Sequence, residues 1–339
     1  MRAVWLENRV LSFREDVPMP ELLKGEALVK VRLAGICGTD LELVRGYYPY
    51  RGIPGHEFVG EIVQAPAAPR RIGQRVVADI NVACGECPDC RAARHGHCQN
   101  RRVLGIKNRN GAFADYLSLP LPNLIPIPET VSDEAAVFAE PLAAAQQIQQ
   151  QIQIGDADSV LVIGAGRLGQ LIAQTLTGIV GQLTVVARYQ SQQALLTEHE
   201  IDWIREDGIR ERAFDIVIEA TGSPAGFALA RQAVRPRGTI VLKSTYQDTD
   251  GSKWPVQLSS LVVDEITLVG SRCGPMAAAL AQLEKQQVDP TGLIAKRYFL
   301  NDALAAFKHA AAPGALKILL QIKSQPVTPL PAEEENQNE

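Results

Sequence analysis

The sequence lacks a long apolar run, an excess of basic residues and an apolar export signal at its start. No apolar stretch approaches the roughly 18 residues that a membrane span requires. Lysine and arginine number 34 against 38 acidic residues, for a net charge of −4, so no basic field is available to hold nucleic acid. The first residues, MRAVWLEN, are charged almost at once. We therefore expect a soluble, cytoplasmic protein with neither nucleic-acid nor membrane partners.

The length and composition predict a globular protein of about two domains. The chain has 339 residues, of which 46% are apolar and 21% charged. Before residue 140, short apolar runs are punctuated by glycine and proline, which indicates a β-rich domain. We predict that residues 1–145 and 273–323 form this catalytic domain, that residues 146–272 bind a dinucleotide, and that 324–339 is a disordered acidic tail.

Strands and helices alternate in the second domain, which predicts an α/β fold with a doubly wound parallel sheet. The pattern predicts strands at 159–163, 183–187, 215–220, 239–243 and 266–270. A helix is expected just before them, at 143–154, with Gly155 as its terminator.

A glycine-rich turn follows the first strand of this sheet. Gly164, Gly166 and Gly169 form G-x-G-x-x-G with Arg167 and Leu168, and a helical stretch follows. The first glycine permits a tight turn, the second lets a pyrophosphate approach, and the third lets helix and strand pack closely. The alternative is a glycine-rich turn without a ligand. The context favours dinucleotide binding.

The residues after this turn favour NADP over NAD. No acidic residue lies between Asp158 and Glu198, where an NAD site usually has a carboxylate for the ribose. Arg188 instead ends the second strand, and its guanidinium suits a 2′-phosphate. The alternative is that Arg188 is merely exposed. Thr221 follows a later parallel strand at its carboxyl end, so we expect it near the nicotinamide.

Four of the six cysteines form a compact group, C-x-x-C-x-x-C followed by one more cysteine, at Cys84, Cys87, Cys90 and Cys98. In a chain without an export signal, clustered cysteines indicate metal ligands before disulfides. Four thiolates close a tetrahedron around zinc and leave no position for a substrate, so this zinc is predicted to be structural. An iron–sulfur cluster is the alternative.

A second set of metal-ligand types is dispersed along the chain. Cys37, His56, Glu57 and Glu140 offer one thiolate, one imidazole and two carboxylates. A catalytic zinc takes three protein ligands and keeps one open position. Taken singly, Cys37 is typical of a buried thiol without a metal. The pair His56-Glu57 is likewise typical of polar side chains that are hydrogen-bonded within the protein.

With these motifs in order, the chain resembles the medium-chain, zinc-containing alcohol and polyol dehydrogenase superfamily, in its sorbitol- and threonine-dehydrogenase-like branch. The likeness rests on the cysteine group and on four motifs, namely GICGTD at 35–40, GHEFVGE at 55–61, EPL at 140–142 and GAGRLG at 164–169. It covers residues 1 to about 322. The resemblance implies a GroES-like catalytic domain beside a Rossmann cofactor domain.

The resemblance also implies a metal-ligand set and a proton path. Cys37 and His56 would bind the catalytic zinc, with Glu57 or Glu140 as the third ligand and the cysteine group holding a second, structural zinc. Asp40 would orient His56. Thr39 would accept the substrate's hydroxyl proton. Glu42 stands where the family often has a relay histidine.

The implied function is zinc-dependent hydride transfer between an alcohol or polyol, or the corresponding carbonyl compound, and NAD(P). A small-molecule substrate and a homodimer or homotetramer follow from the same resemblance. The alternatives are a sugar or amino-acid dehydrogenase on this scaffold, a dinucleotide-binding protein without turnover, and a zinc-free reductase. Tyr47, Tyr48 and Tyr50 precede the Gly-His-Glu motif and either line the substrate pocket or pack within their loop.

Overall fold

The structure is a computed structural model that describes residues 1–245 and 258–323. The predicted acidic tail lies outside the described residues. Within them, no helix has the length and apolar character needed to cross a membrane.

Strands and helices are distributed along the whole described chain. The strands are β1 Ala3–Glu7, β2 Val10–Arg14, β3 Glu26–Gly35, β4 Glu57–Gln64, β5 Arg75–Ala78, β6 Asn81–Val82, β7 Arg102–Val103, β8 Tyr116–Pro120, β9 Leu124–Pro126, β10 Ser159–Ile163, β11 Gln182–Val186, β12 Trp203–Ile204, β13 Phe214–Glu219, β14 Val234–Leu242, β15 Thr267–Gly270, β16 Ile294–Phe299 and β17 Lys317–Gln321. The α-helices are α1 Gly38–Arg45, α2 Pro88–Arg91, α3 Asp133–Ala136, α4 Ala139–Gln151, α5 Arg167–Leu176, α6 Gln190–Glu198, α7 Pro224–Ala233, α8 Leu258–Val263, α9 Met276–Glu284 and α10 Ala303–Ala310.

Six strands form a parallel sheet in the order β12-β11-β10-β13-β14-β15. The central strand β10 is buried from Val160 to Ile163, as expected for a strand covered on both faces. Helices α5, α6 and α7 connect its successive strands. The predicted doubly wound sheet is therefore confirmed.

The largest differences from the predicted elements are at β12, β14 and α4. Nothing in the sequence predicts β12, because two residues show no periodicity. Strand β14 begins five residues before the predicted start. Helix α4 begins at Ala139 rather than 143, since Pro141 is tolerated in a first turn, where its missing amide has no partner to lose. The helix ends at Gln151, before Gly155, because the next residue is extended.

A second sheet holds seven strands in the order β16-β17-β3-β4-β5-β9, with β8 also paired to β3. Strand β17 pairs antiparallel with β3, placing Leu320 opposite Ala34. The chain after β15 thus returns to the sheet built by its first part. The division into two domains stays a prediction, and its boundary at residue 145 falls inside α4.

The two sheets share part of one hydrophobic core. Val59 of β4, Leu142 of α4 and Val162 of β10 belong to the same buried cluster. Helix α4 therefore fixes the second sheet against the parallel sheet, and the loops at their facing ends meet.

An ion-pair network ties β13 to its neighbour β10. Asp215 accepts hydrogen bonds from the Ser159 backbone amide at 2.8 Å and from Arg235 Nε at 2.6 Å. Burial opposes ionisation of Asp215, but the hydrogen bonds from Ser159 and Arg235 outweigh it and hold its pKa at about 2.

Candidate active site

A cavity of about 810 Å³ lies where loops of the two sheets meet. From the second sheet, residues after β3 and just before β4 line it. From the parallel sheet, residues after β10, β13, β14 and β15 line it. These are the carboxyl ends of the parallel strands, where open α/β sheets bind ligands.

Three metal-ligand side chains converge on this cavity. The ligand atoms of Cys37, His56 and Glu57 all lie within 4.8 Å of one another. Strand pairing brings them together, because Gly35, the last residue of β3, stands opposite Glu57, the first residue of β4. Cys37, which comes just after β3, and His56, which comes just before β4, therefore lie at the same end of the sheet.

Asp40 fixes the orientation of this group. It is fully buried, and its Oδ2 accepts a hydrogen bond from the Cys37 amide at 2.8 Å. Its Oδ1 accepts one from the Gly55 amide at 3.2 Å and lies 3.3 Å from His56 Nδ1. Nδ1 thus faces Asp40 but makes no hydrogen bond with any described residue, and Nε2 is the nitrogen turned away from Asp40. Burial lowers the pKa of His56, but the charges of Asp40 and Cys37 raise it well above its usual value.

A buried ion pair, which the sequence analysis missed, holds Glu57. Lys317 Nζ donates a hydrogen bond to Glu57 Oε2, and the side chains are 2% and 1% exposed, respectively. The ammonium also lies 5.4 Å from the ring centroid of Phe138. The only available signal was a lysine inside the apolar strand sequence LKILL.

The remaining oxygen of Glu57 has no partner among the residues that the structure describes. Oε1 is buried and makes no hydrogen bond with any described residue. Buried carboxylate oxygens are normally satisfied, so an orphan beside a thiol and an imidazole fits a zinc ligand. Glu140 lines the same cavity but does not belong to this group of donor atoms. Burial raises the pKa of Glu140 to about 7, with Glu57 also raising it and His56 lowering it.

The two predicted relay residues lie at the same cavity. Thr39 and Glu42 both line it, from the first turn of α1 and the turn that follows. Glu42 Oε1 accepts a hydrogen bond from Arg45 Nη1 at 2.6 Å. Both side chains therefore border the cleft, and their role as a proton relay stays a prediction.

The four clustered cysteines converge as predicted. Sulfur–sulfur separations are 3.5 Å for Cys87–Cys90 and Cys84–Cys98, 3.8 Å for Cys87–Cys98 and 3.9 Å for Cys84–Cys90. A tetrahedron with Zn–S bonds of about 2.3 Å has edges of about 3.8 Å, so the thiols fit a closed zinc site.

The glycine turn has the form that a dinucleotide requires. Gly164 has a φ of +103°, and a Cβ at Gly169 would lie 1.8 Å from the Gly164 carbonyl oxygen. Gly166 caps α5, and a Cβ there would meet nothing within 4 Å. This open space in front of a helix N-terminus fits a pyrophosphate. Gly166, Arg167 and Leu168 line the cavity.

Arg188 has a partner that the sequence analysis missed. Its side chain is 62% exposed, and Nε and Nη2 donate to Glu206 Oε1 at 3.1 and 2.5 Å. Glu206 therefore competes with any phosphate for the guanidinium. Thr221 lies at the cavity as expected, and its hydroxyl donates to Glu219.

The three tyrosines divide between the two expected roles. Tyr47 and Tyr48 line the cavity. Tyr50 does not, because it is buried and its hydroxyl donates to the Ile53 carbonyl at 2.6 Å. For Tyr50 the structure therefore agrees with the second expected role, packing within the loop.

Comparison with known proteins places this geometry in a family. The alcohol dehydrogenase GroES-like domain matches residues 23–129. The L-threonine 3-dehydrogenase of Chelativorans sp. (strain BNC1) is 38% identical over 234 residues, which is 63% of this chain and 67% of that protein.

Solved structures extend the likeness over nearly the whole chain. A protein of Sinorhizobium meliloti 1021, described as a zinc-binding dehydrogenase and bound to NADP, superposes with a TM-score of 0.85 at 28% identity, covering 94% of this chain and 98% of its own. The alcohol dehydrogenase RspB of Escherichia coli CFT073, complexed with NADH, gives 0.83 at 29%, covering 95% and 99%. The chain belongs to the zinc-containing medium-chain alcohol and polyol dehydrogenases, which are NAD(P)-dependent oxidoreductases.

Proposed function

We propose that this chain transfers a hydride between an alcohol or polyol and NADP, in either direction, and holds one catalytic and one structural zinc. The observation that carries the proposal is the convergence of Cys37, His56 and Glu57 on the cavity that the Gly166 turn also lines. Substrate oxygen, metal and nicotinamide would then share one cleft, where alignment lowers the barrier.

Cys37 Sγ, His56 Nε2 and Glu57 Oε1 would hold the catalytic zinc. Glu57 is favoured over Glu140 as the third ligand, because only Glu57 shares the compact donor group. Bound there, zinc supplies Lewis acidity and NADP supplies the hydride acceptor. Lys317 would hold Glu57 in place through its hydrogen bond to Oε2.

The proton of the substrate hydroxyl would leave through side chains of α1. Thr39 would accept it as the first member of the relay, and Glu42, which also lines the cavity, would pass it to water. Asp40 would take no part in this transfer, because both of its oxygens are engaged at Cys37, Gly55 and His56.

Arg188 supports the preference for NADP. It follows β11, the strand beside the glycine turn, at the position where an NAD site usually has an acid. The 2′-phosphate would replace Glu206 as the partner of its guanidinium, since that pair is exposed and weak. Thr221 would lie beside the nicotinamide.

A second copy of the chain would cover the edge of the parallel sheet. Strand β15 ends the strand order, and Leu268 on it is 42% exposed. Val262 and Val263 of the adjacent α8 are also exposed. An apolar sheet edge that no described strand covers invites pairing with another chain. This supports a homodimer or homotetramer, and Leu268→Lys should reduce the mass measured by light scattering.

Zinc content and turnover test the central proposal together. Protein purified without added metal should hold about two zinc ions per chain. Cys37→Ala should hold about one and lose alcohol oxidation with NADP, while Cys273→Ala, the matched control for zinc content at the cysteine outside both sites, should still hold about two. Unchanged turnover of Cys37→Ala would refute the proposal.

A further inference from the structure

Three cations that line the cavity have no carboxylate partner among the described residues. Arg101 Nη1 donates to the Gly96 carbonyl at 2.7 Å, and Arg272 Nη2 donates to the same carbonyl at 2.8 Å. Arg272 also donates to Asn81 Oδ1 at 3.1 Å. Two guanidinium groups therefore share one neutral acceptor, although like charges repel at such separations.

The third cation, Lys243, is buried beside them. Its Nζ donates to Ser271 Oγ at 3.0 Å and to the Arg272 carbonyl at 2.6 Å, which leaves one of its three protons without a partner. Burial lowers the pKa of Lys243 to about 8; Cys273 and Glu140 oppose this shift, and the charge of Arg272 adds to it.

One donor of this cluster is orphaned. Arg101 Nε is buried and has no hydrogen-bond partner among the described residues. Burial lowers the pKa of Arg101, and so does the charge of Arg272. Unpaired buried donors and clustered like charges both cost free energy. An anion seated among the three side chains would remove both costs.

Of the other cations of the cavity, Lys107 also has no carboxylate partner among the described residues, whereas the rest are paired or lie at the glycine turn. Lys317 pairs with Glu57 and Arg45 with Glu42. Arg167 lies at the glycine turn, where the pyrophosphate would bind. Arg101, Lys243 and Arg272 differ from Lys107 because they are linked to one another: the two arginines share the Gly96 carbonyl, and Lys243 donates to the Arg272 carbonyl.

The cluster lies away from the adenosine end of the cleft. Lys243 and Arg272 follow β14 and β15, whereas Arg188 follows β11, on the other side of β10 in the strand order. The adenosine end of the cofactor is thus separated from the cluster by the central strands. Glu140, which lines the cavity with the zinc ligands, is near enough to Lys243 for their charges to interact.

We propose that Arg101, Lys243 and Arg272 form an anion subsite, so that the substrate is an alcohol or polyol bearing a carboxylate or phosphate group. The inference rests on the proposed function, since it names the substrate class of the same cleft. Arginine pairs bind either group through parallel hydrogen bonds. A purely structural role, in which both arginines only hold Gly96, predicts no preference for anions.

Anion binding to the zinc-loaded protein tests the proposal. With saturating NADPH filling the pyrophosphate site, malonate and inorganic phosphate are titrated by calorimetry, with malonamide as the neutral control. We expect millimolar binding of at least one anion and none of malonamide. R272Q and R101Q should each weaken anion binding about tenfold. R94Q, an exposed arginine of the same lobe that pairs with Asp89, should not.

The outcomes separate the subsite from the proposed function. Malonate favoured over phosphate indicates a carboxylate substrate, and the reverse indicates a phosphorylated one. The subsite is refuted if neither anion binds at concentrations up to about 50 mM. It is also refuted if R101Q and R272Q bind the anions as tightly as the wild-type protein does. If NADPH does not bind, the proposed function fails. The anion titrations still test the subsite in that case. Anion affinity should then fall in R272Q but not in Arg167→Gln, which alters the glycine turn.

Discussion

Gly35→Ala should weaken metal binding at the candidate catalytic site. A Cβ at Gly35 would lie 2.5 Å from Glu57 Oε2 and 3.3 Å from Lys317 Cδ, whereas ordinary contact begins at 3.4 Å. The carboxylate must therefore retreat by roughly 1 Å or turn. Ligand atoms of a metal site tolerate displacements of only about 0.2 Å. Glu57 would cease to be a ligand.

The expected magnitudes follow from this displacement. Overpacking a buried site costs about 1–3 kcal/mol of unfolding free energy. We expect a cost toward the upper end, because the added Cβ would also displace the buried Glu57–Lys317 ion pair. Loss of correct carboxylate placement should weaken zinc binding by about 10- to 100-fold. The four-cysteine site lies outside this contact and should keep its metal.

Chelator competition distinguishes these outcomes. Wild-type protein, Gly35→Ala and Gly155→Ala are incubated with increasing chelator, and the zinc retained per chain is measured alongside urea unfolding. Gly155→Ala is the matched control, because a Cβ there meets nothing within 4 Å and its φ is not positive. If Gly35→Ala retains the cavity zinc as tightly as Gly155→Ala, Glu57 is not a ligand in the position that the structure gives it.

Three further perturbations test other parts of the structure. Asp40→Asn removes the charge facing His56 and should weaken zinc binding by about 10- to 100-fold in chelator competition; unchanged affinity would contradict the orienting role. Glu206→Gln frees Arg188 and should tighten NADPH binding about two- to fivefold in fluorescence titrations, and an equal gain for NADH would argue against phosphate recognition. Asp215 has a folded pKa of about 2, below its unfolded value of about 3.9, so it adds roughly 2 kcal/mol of stability above pH 4 that is lost as the pH falls toward 2. Asp215→Asn should therefore be less stable at pH 7 in urea and show a flatter decline in acid, and parallel curves would refute this.

Local spacing in the sequence was enough to predict the glycine turn and the four-cysteine group. Gly164, Gly166 and Gly169 stand within six residues, and a strand and a helix flank them, so the turn's geometry follows from its neighbours. The cysteines occupy one short loop, and four sulfurs so close in the chain have few ways to arrange themselves. The alternation of strands and helices likewise predicted the parallel sheet, because periodicity is a local property.

Tertiary structure alone decided which distant side chains meet. Lys317 and Glu57 are 260 residues apart, and only the pairing of β17 with β3, and of β3 with β4, brings them together. That same pairing places Gly35 against the carboxylate and favours Glu57 over Glu140. The pairing of Glu206 with Arg188 and the proximity of Arg101 to Arg272 depend in the same way on how separate loops meet. Composition and periodicity carry no record of these contacts, because strand register and sheet order are set by packing across the whole molecule.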